Sequence, residues 1–218
     1  MKPIHFNPEI FDVGSAVHDT IEEFYKHYYT FNMSHNDILY YTYEEIFKPI
    51  WSEHNYKDPQ EMKDDLAKCY TCLNNFATFE SNRRDPTQPS VEVEVPTDKL
   101  YGFIDFYNPI THKAYDWKTS KNPRLSKTHY IQSIIYKHLI KAKYDINLDK
   151  FYFLFLYPNV TQKVTFDEPK VIKIEKQTFD TVDEILNAYE TNDFEKKPRT
   201  PRMCKWCQFK YYCKTLKL

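Results

Sequence analysis

The apolar residues of this chain change their spacing once, near residue 90, and that change dictates the class of fold. Val13, Val17, Ile21, Phe24, Tyr28 and Phe31 recur at steps of three and four, which sets them in one stripe along a helix. Val91, Val93 and Val95 instead alternate with Glu92 and Glu94, the pattern of a strand with one buried face. The first kind of spacing predicts further helices over 41–50 and 59–80, the second opening after Pro59. Beyond residue 90 the chain predicts strands over 100–107 and 112–118, joined as a hairpin by the NPIT segment 108–111. A helix follows from about 127 to 143, with Ser126 as its cap. The nearly continuous apolar run 150–158 fits a strand buried on both faces. Another strand over 169–175 and a helix over 177–191 complete the series. The order predicts an α/β chain in which a mixed central sheet is flanked by helices. One domain spans 1–218, with a helical region at 12–80, a core at 90–195 and a basic, then cysteine-rich, tail at 196–218.

A chain of 218 residues can bury a sizeable core, and 41% hydrophobic with 28% charged residues reads as globular rather than disordered. No apolar run approaches bilayer length. The N-terminal MKPIHFNPEIFDVG has charges and prolines where a signal peptide needs an apolar stretch. The expectation is a cytoplasmic protein with no membrane partner. A net charge of −1 gives no overall attraction to nucleic acid, so such a partner must be gripped by local basic runs. KTSKNPRLSK at 118–127, KKPRTPR at 196–202 and the tail from Lys205 to Lys217 are the candidates. Lysine outnumbers arginine, and Asn, Ile and Tyr are frequent, a bias that fits an AT-rich coding sequence of the kind many phages carry.

The segment GFIDFYNPITHKAYDWKTS (102–120) concentrates the chemistry. A hairpin brings Asp105, near the end of one strand, close to Asp116, near the end of the next. Lys118, two residues on, emerges on the same face of its strand as Asp116. Two carboxylates can hold a hard divalent cation such as Mg²⁺ or Mn²⁺ and leave room for water and a phosphate oxygen. The cation activates water and offsets charge building on phosphorus, while the lysine orients the attacking water and stabilises the transition state. Gln132 and Tyr136 are four apart, stacked on one face of the predicted helix beside a core face of Ile131, Ile134, Ile135 and Leu139. Only two glycines occur, Gly14 and Gly102, so each marks a backbone position that tolerates little else.

Five segments in order, GSAVH (14–18), VEVEVP (91–96), GFID (102–105), DWKTS (116–120) and QSIIY (132–136), resemble the motifs of the PD-(D/E)XK nuclease superfamily. The resemblance is to its RecB-like branch, which includes Cas4 and the AddB nuclease domain, and it extends over about 13–213. It implies a restriction-endonuclease-like core and a DNA nuclease, with Asp105 and Asp116 on the metal and Lys118 as the catalytic lysine. His18 would complete the metal shell, and Glu94, which matches the family's upstream glutamate better than Glu92, would join it. Gln132 and Tyr136 would face the active site. The branch also implies exonuclease action on free or single-stranded DNA ends in recombination, repair or phage DNA processing, alongside a helicase or recombination partner. The rival readings are an inactive relative that only binds DNA or protein, and a zinc-stabilised interaction protein.

Five cysteines, an odd number, argue against a disulfide framework. Cys204, Cys207 and Cys213 follow a Cys-x2-Cys-x5-Cys spacing that can wrap one soft metal or cluster. The spacing resembles the C-terminal cysteines of iron–sulfur RecB-like nucleases, which implies a 4Fe–4S cluster, with zinc as the alternative. No cysteine precedes His18, so the fourth ligand must be Cys69 or Cys72, two residues that otherwise read as small members of an amphipathic helix.

Overall fold

In the computed structural model of the protein the described residues are 13–52, 58–83, 87–97 and 99–193. The described residues divide into two units at Lys176–Gln177, and every described site residue discussed below precedes that division.

The helical half opens with α1 (Val13–Glu23), which widens into a π turn at Phe24–Tyr28. Next come α2 (His35–Leu39), a second π stretch at Tyr40–Phe47, α3 (Lys48–Ser52) and α4 (Pro59–Asn82). Asp58 caps α4 through the Gln60 amide, and Pro59 sits in the first turn, where its missing N–H leaves nothing unpaired. Along α4 the buried positions are Cys69, Cys72, Leu73, Phe76, Ala77 and Glu80, a single stripe at helical spacing. That stripe packs with Val17, Ile21 and Phe24 against Phe106, Trp117 and Leu154 of the sheet.

Five strands follow in spatial order β1 (Ser90–Pro96), β2 (Tyr101–Asn108), β3 (Lys113–Lys118), β4 (Lys150–Phe155) and β5 (Val160–Thr165). The sheet is mixed: β3 and β4 are parallel and every other neighbouring pair is antiparallel. Parallel neighbours need a crossover, and α5 (Lys127–Tyr144) supplies it. Ser126 accepts from the His129 amide while the Ser126 amide donates to His129 Nδ1, so a histidine completes this capping box. At the hairpin tip Asn108 Oδ1 accepts from the amides of Ile110 and Thr111, the local turn that asparagine favours.

The helices cover opposite faces of the sheet. On β4, Leu154 joins the α1–α4 core, whereas Phe151 meets Tyr136 and Phe153 meets His129, both on α5. This is the strand buried on both faces that its apolar run predicts. Gly102 on β2 lies under α5: a Cβ there would come to 3.0 Å from Leu139 Cδ1, so glycine permits the close approach.

One element differs from the sequence expectation. The strand expected at 169–175 is the start of a helix, α6 (Pro169–Thr191), and the fifth strand is Val160–Thr165. Val171 and Ile174 are buried three residues apart while Ile172 is 53% exposed, which is helical spacing. VTQKVT, mostly polar, is held as an edge strand by its ladder to β4, and that long-range pairing leaves little trace in local hydrophobicity.

Candidate active site

β2 carries the site because its ladders fail at one residue. Toward β3 the pairing stops at Phe106↔Tyr115, one step before Asp105 would face Asp116. Toward β1 the register passes from Val91↔Phe106 to Val93↔Ile104, skipping Glu92 opposite Asp105. Glu92 has φ of 45°, a left-handed backbone that glutamate adopts only under constraint.

The polar groups freed by this opening are met by side chains. The Trp117 amide donates to Asp105 Oδ2 at 2.9 Å. The Trp117 carbonyl accepts from His18 Nε2 at 2.9 Å. A carbonyl can only accept, so Nε2 carries a hydrogen, and it is Nδ1 that can offer a lone pair. That Nδ1 lies 3.4 Å from Asp105 Oδ2. A shared proton or a cation between these two atoms satisfies both. Ligand atoms of His18, Glu92 and Asp105 all lie within 4.8 Å of one another.

Asp116 points to the α5 face. Its Oδ1 accepts from Gln132 Nε2 at 2.6 Å. Lys118 Nζ lies 2.6 Å from Oδ2 but off the direction of a hydrogen bond, so this buried oxygen has a nearby positive charge and no directed donor. Gln132 is fixed in orientation by its neighbours: its Oε1 accepts from Lys118 at 3.0 Å, and its Nε2 donates to both Asp116 and Tyr136 Oη. An amide flip would set NH₂ against an ammonium and oxygen against a carboxylate. Tyr136 accepts that bond, so its own hydrogen remains for a carboxylate or phosphate oxygen.

Charge in this site is under tension. Burial, then the Asp105 charge, pushes the Asp116 carboxyl far above the ordinary carboxylate range, and Lys118 pulls it back only in part. Asp105 is raised mainly by burial, against the Trp117 hydrogen bond that lowers it. Glu92 is raised by burial and by Glu22. Burial followed by the two aspartates holds the Tyr136 phenol in its neutral form. A cleft of about 470 Å³ opens over the group, lined in part by Ser15, His18, Asp19, Glu22 and Phe103. A site holding two buried carboxylates, Asp105 and Asp116, with the half-buried Glu92 and an imidazole nitrogen within reach of Asp105, fits a hard divalent cation.

A sequence profile of the PD-(D/E)XK nuclease superfamily matches residues 3–214. The chain belongs to the PD-(D/E)XK nuclease superfamily. Among solved structures, a chain described as "Crystal structure of SSO0001" is 18% identical, covers 96% of this chain and 98% of its own length, and has a TM-score of 0.34. No curated protein matches. Nucleases of this superfamily commonly use divalent metals, and the five-stranded mixed sheet flanked by helices is consistent with a restriction-endonuclease-like fold.

In this PD-(D/E)XK protein the structure gathers His18, Asp105, Asp116, Lys118, Gln132 and Tyr136 in one neighbourhood. Glu94 stands apart: it is exposed, pairs with Phe103 across the ladder and accepts from the Tyr101 hydroxyl at 2.8 Å. The acidic residue brought to the cluster from β1 is Glu92, because register sets it opposite Asp105. Asp19 and Glu22 were not singled out by sequence, although Ser15, His18 and Glu22 share a helix face at steps of three and four. Cys69 and Cys72 are enclosed in the α4 core, and burial pushes both thiols up to about 12. Cys204, Cys207 and Cys213, and the basic run 196–202, lie outside the described residues. Among the described residues no helix is long and apolar enough to cross a membrane.

Proposed function

We propose that this protein hydrolyses phosphodiester bonds in DNA, with a divalent cation held by Asp105, Asp116, Glu92 and His18. The observation that carries the reading is the buried Asp116 carboxylate, 1% exposed, held beside Asp105 with the Lys118 ammonium 2.6 Å from its Oδ2. Mg²⁺ or Mn²⁺, when bound, offsets the negative charge on the phosphate and lowers the pKa of adjacent water. Lys118 presents an ammonium to the reacting phosphate and stabilises charge developing there. Gln132 keeps Lys118 and Asp116 aligned, and Tyr136 fixes Gln132. His18 is oriented by the Trp117 carbonyl, so its Nδ1 stays directed at the cation position.

The ordered motifs resemble the RecB-like branch, which supports exonuclease action on free or single-stranded ends in recombination, repair or phage DNA processing. The test is an assay with end-labelled linear and circular DNA, single- and double-stranded, with Mn²⁺ and with EDTA. Degradation of linear DNA alone, lost in EDTA and in Lys118→Ala, is the expected result. Cutting of circles would replace exonuclease with endonuclease action. Binding without metal-dependent cleavage would favour an inactive DNA- or protein-binding relative.

The Cys204, Cys207 and Cys213 spacing supports a 4Fe–4S cluster or a zinc ion in the tail. The enclosure of Cys69 and Cys72 in the apolar core weighs against either as the fourth ligand. Visible absorbance after anaerobic purification supports the cluster, and stoichiometric zinc without colour supports the alternative.

A further inference from the structure

The face that α5 turns to the active site carries one side chain more than the cluster around Asp116 uses. His129, Gln132 and Tyr136 fall at steps of three and four on α5, hence on one face of the helix. Gln132 holds Asp116 and Lys118, and Tyr136 holds Gln132. His129 precedes Gln132 by about 4.5 Å along the helix axis. Its ring packs on β4, with its centroid 5.1 Å from that of Phe153 and 5.7 Å from that of Phe155. Those two residues pair in register with Asp116 and Lys118 of β3, and Lys118 Nζ itself lies 5.7 Å from the centre of the Phe153 ring. His129 therefore stands one strand over from the ammonium, on the same face of the sheet.

The capping box at the start of α5 decides which nitrogen is left over. Nδ1 accepts from the Ser126 amide at 2.9 Å, so it is unprotonated and the hydrogen of the ring is on Nε2. Burial, and then the Lys118 charge, push the ring below its ordinary pKa, which favours this neutral form. Among the described residues no group accepts from Nε2, and the atom is not enclosed, so its hydrogen is open to solvent. Gln132 spends its donors inside the site, whereas His129 keeps one for a ligand. The approach to this donor is basic: Lys121, Arg124 and Lys127 are exposed on the segment that enters α5, and the first turn of α5 holds no acidic residue.

We infer that His129 Nε2 donates to a phosphate oxygen of the DNA strand, at a phosphate next to the one that reacts, and so fixes where the strand lies beside Lys118. This rests on the nuclease reading of the site and adds a substrate contact to it. A hydrogen bond to a phosphate is charge-assisted and stronger than one between neutral groups. Such contacts set the register of the nucleic acid without reading its sequence. The ring is already fixed by the Ser126 amide and by Phe153 and Phe155, so little freedom is lost when the strand binds.

The test is His129→Gln beside His129→Ala in steady-state cleavage of labelled DNA with Mn²⁺, with a thermal melt of each. Glutamine at this position can still accept from the Ser126 amide and keep the capping box, so its Tm should equal the parent's, while that of His129→Ala falls. Both variants should raise KM at least about fivefold with little change in kcat. Replacing phosphates one at a time by uncharged methylphosphonates should reveal a position that raises KM for the parent and not for His129→Gln. The inference is overturned if His129→Gln keeps the parental KM, which leaves His129 a helix cap only, or if both proteins respond alike to every methylphosphonate. A parent that cuts no DNA overturns the nuclease reading itself, and this contact with it.

Discussion

Two of the buried carboxylates, Glu80 and Asp116, each lie directly beside a cationic side chain, and they are treated in opposite ways. Glu80 on α4 is 5% exposed and fully partnered. Arg83 Nε donates to both of its oxygens at 2.9 Å, Arg83 also donates to Oε1 at 2.7 Å, and Tyr25 donates to Oε2 at 2.6 Å. Asp116 is 1% exposed, has Lys118 beside it and keeps one oxygen without a directed donor. A buried charge is tolerated when paired and hydrogen-bonded, as at Glu80. Asp116 is held short of that condition, and such unfinished satisfaction marks a group kept for a ligand. Glu80 is thereby matched within the fold, whereas Asp116 is the carboxylate that the proposed cation site would use.

The contrast breaks if substitution affects the two alike. Lys118→Ala and Asp116→Asn should each lower DNA cleavage by about a thousandfold or more, with Asp116→Asn at least as stable as the parent in EDTA. A thermal melt beside a nuclease assay checks this, and a destabilised Asp116→Asn would make Asp116 a structural carboxylate. Glu80→Gln should do the reverse. It strands the buried Arg83 charge, and the expected loss is about 3–5 kcal/mol of stability, read by urea denaturation, with the cation-induced stabilisation of the folded fraction intact.

Metal and pH sharpen the same comparison. Saturating Mn²⁺ should raise stability by about 2.7 kcal/mol at a hundredfold excess over Kd, and Asp105→Asn should abolish that rise. Asp105 and Asp116 have folded pKa values raised above their unfolded ones, so the folded state holds more protons between the two. In EDTA, their contribution to stability is then greatest below the unfolded carboxylate pKa, near 4, and is lost as pH rises through the raised values. Melting temperature against pH should show this slope in the parent, and Asp116→Asn or Mn²⁺ should flatten it. The smallest expected effect is Tyr25→Phe, which removes one donor to Glu80 and should cost about 1 kcal/mol, read as a small shift in the urea midpoint without change in cleavage.

Short-range geometry made much of this legible. The Asp116 and Lys118 side chains share a face because they are two apart on a strand. Gln132 and Tyr136 stack because they are four apart on a helix. Ser126 begins α5 because a serine side chain can satisfy a free amide. The polar edge strand Val160–Thr165 and the helix beginning at Pro169 were less legible, because their states depend on what each packs against. The strand Ser90–Pro96 was legible, and the choice between its two glutamates was not. Either can face outward in an alternating pattern, and only the register against β2 sets Glu92 opposite Asp105 and Glu94 opposite Phe103.

The sequence by itself determined most of the elements, the β2–β3 hairpin and the residue types from which a cation site can be made, because each depends on spacings of two, three or four residues. Tertiary structure alone decided that His18 reaches the Trp117 carbonyl 99 residues away, that the ladders part at Asp105, and that the Asp116 carboxylate is buried between Lys118 and Gln132. These are consequences of which surfaces meet and where hydrogen bonding between strands stops, and no local pattern carries that information.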